Sequence, residues 1–476
     1  MKRFFNIIKK YWIYFILVII AIIICMMSTI SPVANEYIGV DSSVFIYVAK
    51  SMQSGQVPYV NVFDHKGPLI YFINYLGITL TNNYIGIWLI EVLFMSFNLI
   101  ILFKIATMFL KDNIKAIIAT IISIFSIVIF FDEGNLTEEY ALPFILFSLY
   151  KFVQMIKEDN YQNKTNNILI GACLGAVLLL RPNMIAVWIV YYSYIAIKLL
   201  RRKKIKILLE MAIFSILGML VFMLPFIIYL AYNNAISNFI NEYLIFNFKY
   251  SSYKEMSIKN TIKFFIIKDP IIILITLGYL FFIIVKEERK KWDIIITSLV
   301  FFLLSFILVV LPANHYLHYG MILIPTFIIP VSMAISYINN KSLNIVVLIF
   351  SVVVLFGFIS LNIIKIRNKE EDIYLKISKY VVNNTKEEDR IIVLGNRCLI
   401  YLMSNRESAS KYIYQYPISN VDSNIKNDFI KELIENEPKI IVKINANDDI
   451  IKTINELIEQ KKYKEDNEFK FILVKQ

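Results

Sequence analysis

Most of the first 364 residues of this chain lie in apolar runs, many of them about as long as the roughly 20 residues a helix needs to cross a bilayer. Hydrocarbon offers no partner to a backbone N–H or C=O, so runs of this kind must bond internally, as helices. A membrane β-barrel would show short alternating segments instead. Composition agrees: 58% of the 476 residues are hydrophobic, against about 45–50% in a soluble domain, and the mean hydropathy is +0.62.

The net charge of +12 would suggest nucleic acid in a soluble protein. Here much of the excess sits in short loops between apolar runs, as in Lys198 with Arg201-Arg202-Lys203-Lys204. That is the bias that holds loops on the cytoplasmic side, and no nucleic-acid partner is expected. Cys25, Cys173 and Cys398 have neither metal-ligand spacing nor a disulfide framework, so they leave the redox compartment open. Basic Lys2-Arg3 and Lys9-Lys10 precede a run from Tyr11 to Ile30. This run is too long for a cleaved signal, so it reads as a retained first span with a cytoplasmic N-terminus. Spans are expected near 11–30, 84–110, 116–131, 140–156, 167–181, 184–200, 207–231, 269–285, 293–311, 319–338 and 342–364, about eleven in all. Cytoplasmic loops then hold Lys111 and Lys115, Lys157 and Lys164, the 201–206 cluster, Lys286 to Lys291, and Lys341. Gly171 and Gly175, four apart, fit a close helix-packing seam.

Two non-cytoplasmic loops stand out. The first, 31–83, carries an expected amphipathic helix from Ser42 to Ser54, with Val44, Tyr47, Val48 and Met52 on one face and Gly55 as its cap. A second stretch starts at Pro68, a good first helical residue, and runs to Leu80. It is too short to span and is expected to lie in the interface. The second loop, 132–139, is acidic. After residue 364 the composition turns polar. Strands are expected at 390–394, 439–444 and 469–474, with helices at 429–435 and 449–460, which makes 365–476 a soluble α/β domain. An odd span count puts it outside the cell. No phosphate-binding loop of the GxxxxGK[ST] kind and no GxGxxG fingerprint occurs.

Chemistry-bearing residues gather on that outer side. Asp41 follows the first span and reads either as a helix N-cap or as a catalytic acid. Asp64-His65-Lys66-Gly67-Pro68 sets an acid, an imidazole and an ammonium beside the short apolar helix; Lys66 could hold a lipid phosphate or simply snorkel to head groups. Glu138 and Glu139 open a span, where the helix dipole alone would favour them. Arg181, before Pro182, needs an anionic partner, either a phosphate or one of these glutamates. His315 and His318 would share a helix face and could ligate a metal.

Taken together, Asp41, the helix ending at Gly55, and the run Tyr59-Val60-Asn61-Val62-Phe63-Asp64-His65-Lys66-Gly67-Pro68-Leu69-Ile70-Tyr71 resemble the first external loop of GT-C glycosyltransferases. The type is that of protein-O-mannosyltransferases and aminoarabinose (ArnT-like) transferases with their bacterial relatives. Thr137-Glu138-Glu139, Arg181-Pro182, His318-Tyr319 and the α/β tail fit the same layout. The resemblance implies a multi-pass α-helical catalytic region over 1–364 in a bacterial plasma membrane. It also implies a polyprenyl-phosphate sugar donor, undecaprenyl phosphate being the expected carrier, and a lipid, glycan or protein acceptor.

Asp41 would then be the general base of an inverting transfer. Lys66 and Arg181 would bind phosphate, with Asp64, His65 and His318 nearby. Glu138 or Glu139 would orient the acceptor or a divalent metal ion, no cofactor being certain. Protein mannosyltransferases carry two adjacent acids in this loop, whereas Ser42 follows Asp41 here, which argues against a carried-over protein acceptor. The competing expectation is a multi-pass transporter or lipid flippase. It would favour helices broken by Gly or Pro in matching halves, which the sequence lacks.

Overall fold

The computed structural model describes residues 2–34, 37–254, 256–285, 289–367 and 373–476, with no side-chain description for 2–10, 285 and 289–291. Lys286, and the side chains of Lys2, Arg3, Lys9, Lys10, Lys290 and Lys291, therefore lie outside the described set.

The chain folds into two compact units, neither contiguous in sequence. The first takes residues 1–33, 87–226 and 254–366; the second takes 34–86, 227–253 and 367–476. The first external loop thus belongs with the C-terminal region rather than with the helices on either side of it. The helices come in this order: α1 (Lys2–Cys25), α2 (Val40–Gln53), α3 (Pro68–Thr81), α4 (Ile85–Thr107), α5 (Asn113–Ser123), α6 (Ile127–Phe130), α7 (Thr137–Glu158), α8 (Lys164–Leu178), α9 (Ala186–Arg201) and α10 (Ile205–Tyr232). Further helices occupy Ile271–Val285, Arg289–Val310, Ile324–Ser336 and Lys341–Arg367. Among the described residues, six helices are long and apolar enough to cross a membrane, and a seventh arises if Ile258–Lys268 and Ile271–Ile284 are one span bent by 92°. A helix also stands at every position expected from hydropathy, most within a few residues.

The Gly171–Gly175 seam lies between α8 and α10. A Cβ on Gly171 would sit 1.8 Å from the Ser215 carbonyl oxygen, and one on Gly218 would sit 1.9 Å from that of Ile168. Backbones this close tolerate only hydrogen at the crossing. Gly171→Val is expected to destabilise the protein by about 1–3 kcal/mol or more by overpacking. The thermal midpoint in detergent is the readout. Gly357→Ala is the control, because a Cβ there meets nothing within 4 Å.

In the second unit, β1 (Ile391–Leu394), β2 (Ile440–Lys443), β3 (Tyr463–Glu465) and β4 (Ile472–Lys475) form one sheet in the order β1-β2-β4-β3. β1 and β2 run parallel in register Ile391↔Ile440, and β4 runs antiparallel to both β2 and β3. The unbroken runs of β1 and β2 suit strands covered on both faces, and both are buried. The connection between them includes the helix Ser423–Asn436.

Two local expectations change. α2 is not amphipathic: Ser42 to Ala49 are all buried, because Ser42, Ser43 and Ala49 are small enough for neighbours to pack on the side that looked polar. His315 and His318 do not share a helix face. His315 precedes the 3-10 turn Leu317–Leu323 and stacks on Phe264, with ring centroids 4.5 Å apart.

Candidate functional site

Each unit builds its own cluster of chemistry-bearing side chains. In the second unit α2 presents Asp41. The capping position falls on Gly39, which accepts from Ser43 N, so Asp41 stands one residue into the helix rather than capping it. Its carboxylate is half-buried and makes no hydrogen bond or ion pair among the described residues. In the first turn it gains from the helix dipole. The loop after α2 passes Gly55 at φ 83° and makes a tight turn in which Tyr59 takes the left-handed conformation, φ 68°. Tyr59 N donates to Val62 O at 2.8 Å.

That turn delivers Asp64, His65 and Lys66 in a fixed arrangement. Asp64 is buried and accepts from His65 N at 2.8 Å, Tyr414 OH at 2.7 Å and Tyr71 OH at 2.8 Å. Burial pushes its carboxyl above the ordinary range, and the Lys66 charge and the two tyrosine hydroxyls pull the other way. The His65 ring lies between Tyr414 OH, 3.0 Å from Nδ1, and Lys66 Nζ, 3.0 Å from Nε2. One proton arrangement satisfies every partner: Lys66 donates to Nε2, Nδ1–H donates to Tyr414 O, and Tyr414 O–H donates to Asp64. In that arrangement Lys66 meets the imidazole directly, and the Asp64 carboxyl acts on it only through its charge. Asn247 Nδ2 donates to His65 O at 2.6 Å, and Phe63 N donates to Lys411 O at 2.9 Å, so both other segments of the unit clamp the loop. Asp41 also acts on Tyr414, whose hydroxyl feels the charge of both aspartates. Tyr414→Phe removes a donor to a buried carboxylate and the acceptor of His65. It is expected to cost about 1.5–3 kcal/mol in unfolding free energy, read by chemical denaturation in detergent.

In the first unit the residues singled out separately in the sequence meet. The Arg181 guanidinium pairs with Glu138 and lies 4.1 Å over the Tyr319 ring. Glu138 also accepts from Thr137 Oγ1 at 2.8 Å. His318 packs edge-on to Tyr319, centroids 5.0 Å apart, and its Nδ1 is 3.1 Å from Asp132 Oδ2. Asp132, His318, Tyr319, Arg181 and Glu138 thus form one chain of contacts. Glu139 takes no part in it. It points into the helix bundle, has no exposed surface and lies against Glu91 and Cys25. Sequence reasoning quoted Tyr71 only as the end of the resembling run, without a role, and missed Tyr414 in one cluster and Glu91 and Cys25 in the other. For Glu91 a signal existed, since an isolated acid inside an apolar run rarely lacks a partner.

Residues 6–366 match a family model described as "Putative competence-induced protein Ccs4 N-terminal domain", and residues 368–475 match "Ccs4 C-terminal domain". No curated protein matches the chain by sequence. Among solved structures, ArnT from Cupriavidus metallidurans bound to undecaprenyl phosphate aligns with a TM-score of 0.69 at 10% identity, covering 98% of each chain. Its apo form aligns with a TM-score of 0.64 at 11% identity. The oligosaccharyltransferase AglB from Archaeoglobus fulgidus, in complex with an inhibitory peptide and a dolichol-phosphate, aligns with a TM-score of 0.50 at 10% identity, over 91% of this chain and 69% of that one. The chain therefore shares its overall fold with ArnT and, over most of its length, with AglB.

Proposed function

The chain belongs to the Ccs4 family, and from that premise and its ArnT-type fold we propose that it is a membrane glycosyltransferase. It moves a sugar from a polyprenyl-phosphate donor to an acceptor hydroxyl at the outer face of the bacterial plasma membrane. The neighbours that share its fold were solved with undecaprenyl phosphate and dolichol-phosphate. The observation that carries the reading is Asp41: a carboxylate with no hydrogen bond or ion pair among the described residues, on a helix buried along most of its length, in the same unit as the Lys66 ammonium, 3.0 Å from the His65 ring.

The chemistry needs little else. The leaving group is already a phosphate, so departure requires no general acid, and one carboxylate suffices where glycosidases need two. Asp41 takes the proton of the acceptor hydroxyl as its oxygen forms the new bond to the anomeric carbon. The bond from that carbon to the phosphate oxygen breaks on the opposite face, and the configuration inverts. Lys66 stabilises the charge that grows on the departing phosphate. Arg181 would bind phosphate only by exchanging one anion, Glu138, for another, which makes Lys66 the more available cation. With about eleven spans, as the apolar runs suggest, the N-terminus is cytoplasmic and the C-terminal region extracytoplasmic. The basic loop Arg201 to Lys204 supports that orientation.

The test is acceptor-dependent release of free polyprenyl phosphate from lipid-linked sugars by the purified protein, with extracted envelope as acceptor. Release supports the transferase. No release with any donor, together with movement of the donor lipid across proteoliposomes, would replace it with the flippase reading.

A further inference from the structure

Three side chains of the first unit that the proposed transfer does not use converge at one buried point. Cys25 ends α1, Glu91 lies in the second turn of α4, and Glu139 lies in the first turn of α7. All three have no exposed surface, and one ligand atom from each lies within 4.8 Å of the other two. We propose that Cys25, Glu91 and Glu139 bind one divalent transition-metal ion of the zinc class.

The surroundings are arranged as for first-sphere ligands. The backbone N–H of Asn135 donates to Glu91 Oε1 at 2.8 Å and to Glu139 Oε2 at 3.1 Å, so a single amide orients both carboxylates. Outer hydrogen bonds of this kind commonly set the direction of metal ligands. The amide reaches that position because Asn135 and Gly134 both take positive φ, 55° and 76°. A Cβ on Gly134 would lie 2.4 Å from Ser28 Oγ and 2.7 Å from Glu91 Oε1, so only glycine fits. Each carboxylate then has one oxygen left over. Glu91 Oε2 and Glu139 Oε1 are buried with no donor on them from another residue type, the two carboxyls lie within hydrogen-bond reach of each other, Ser28 also bonds Glu91, and neither side chain makes an ion pair among the described residues.

Two carboxylates and a thiol buried together, with no cation beside them among the described residues, is an arrangement proteins avoid unless something neutralises it. A divalent ion does so with the donors present. The thiolate selects zinc, cobalt or iron over calcium and magnesium, which take oxygen alone. Binding displaces the thiol proton, and any proton the carboxyls share, to solvent. The ion would tie the outer ends of α1, α4 and α7 together. This inference does not depend on the transferase reading.

The experiment uses the full-length protein in detergent. After chelation and desalting it is titrated with zinc and, separately, with cobalt, whose bond to a thiolate gives a near-ultraviolet charge-transfer band. The expected result is one tightly held zinc per chain, a thermal midpoint that rises on zinc addition, and a cobalt–thiolate band. Cys25→Ser abolishes the band and weakens zinc binding at least tenfold, and Glu139→Gln weakens zinc binding likewise. Wild-type protein that takes up neither metal, or that binds as tightly in the Cys25→Ser and Glu139→Gln variants, overturns the proposal and leaves a carboxyl pair sharing a proton. The wild-type titration decides the matter even if a variant fails to fold.

Discussion

Asp41→Asn is expected to lower the transfer rate by about 10²–10⁴-fold, the usual contribution of a positioned general base. The amide has the shape of the carboxylate but accepts no proton at neutral pH. The fold should survive, because Asp41 makes no hydrogen bond or ion pair among the described residues and the cap of α2 is supplied by Gly39. What folding does lose is a helix-dipole interaction of about 0.3–1 kcal/mol. Rate at saturating donor and thermal midpoint, measured on the same preparation, separate the two roles. A collapse in rate with a nearly unchanged midpoint identifies the base. An undiminished rate would reduce Asp41 to a favourable first-turn charge and remove the main support for the proposed mechanism.

Arg181→Ala should give the largest loss of stability. Glu138 is buried, with 3% of its side chain exposed, and its partner is the Arg181 guanidinium. Removing one member of a buried ion pair leaves an uncompensated charge and costs about 3–5 kcal/mol. The substitution also empties the face of Tyr319 on which Arg181 stacks. Arg181→Ala combined with Glu138→Gln should recover much of the loss, since no charge is then stranded. The double-mutant cycle is read by chemical denaturation in detergent. Single and double variants of equal stability would mean that Arg181 acts by packing alone.

How much the sequence discloses depends on the distance over which a feature is encoded. A span is local, so α10, observed at Ile205–Tyr232, was legible as 207–231 from hydropathy alone. β1 and β2 were legible for the same reason, as short β-branched runs. β3 was not: Tyr463-Lys464-Glu465 is a three-residue edge strand with two exposed charges and reads as a turn. The Asp64-His65-Lys66 triplet is contiguous and visible, whereas Tyr414, which completes it, is separated by the whole membrane region. The polar side of α2 was misjudged because periodicity reports which face is apolar and says nothing of how well small polar residues pack. Glu138 and Glu139 look interchangeable as neighbours in sequence. On a helix they point about 100° apart, one toward Arg181 and the other toward Glu91.

The second unit also sets a timetable. Asp64 takes a hydrogen bond from a tyrosine 350 residues further along the chain, and Phe63 bonds to the backbone of Lys411. At a synthesis rate of roughly 5–20 residues per second, the first external loop emerges tens of seconds before these partners exist. During that interval the nascent protein holds its early spans but not the clamp on Lys66. Under the proposed mechanism, competence for chemistry would arrive late, with the last segment made. A ribosome that stops early would then leave a chain in which Lys66 is not yet clamped.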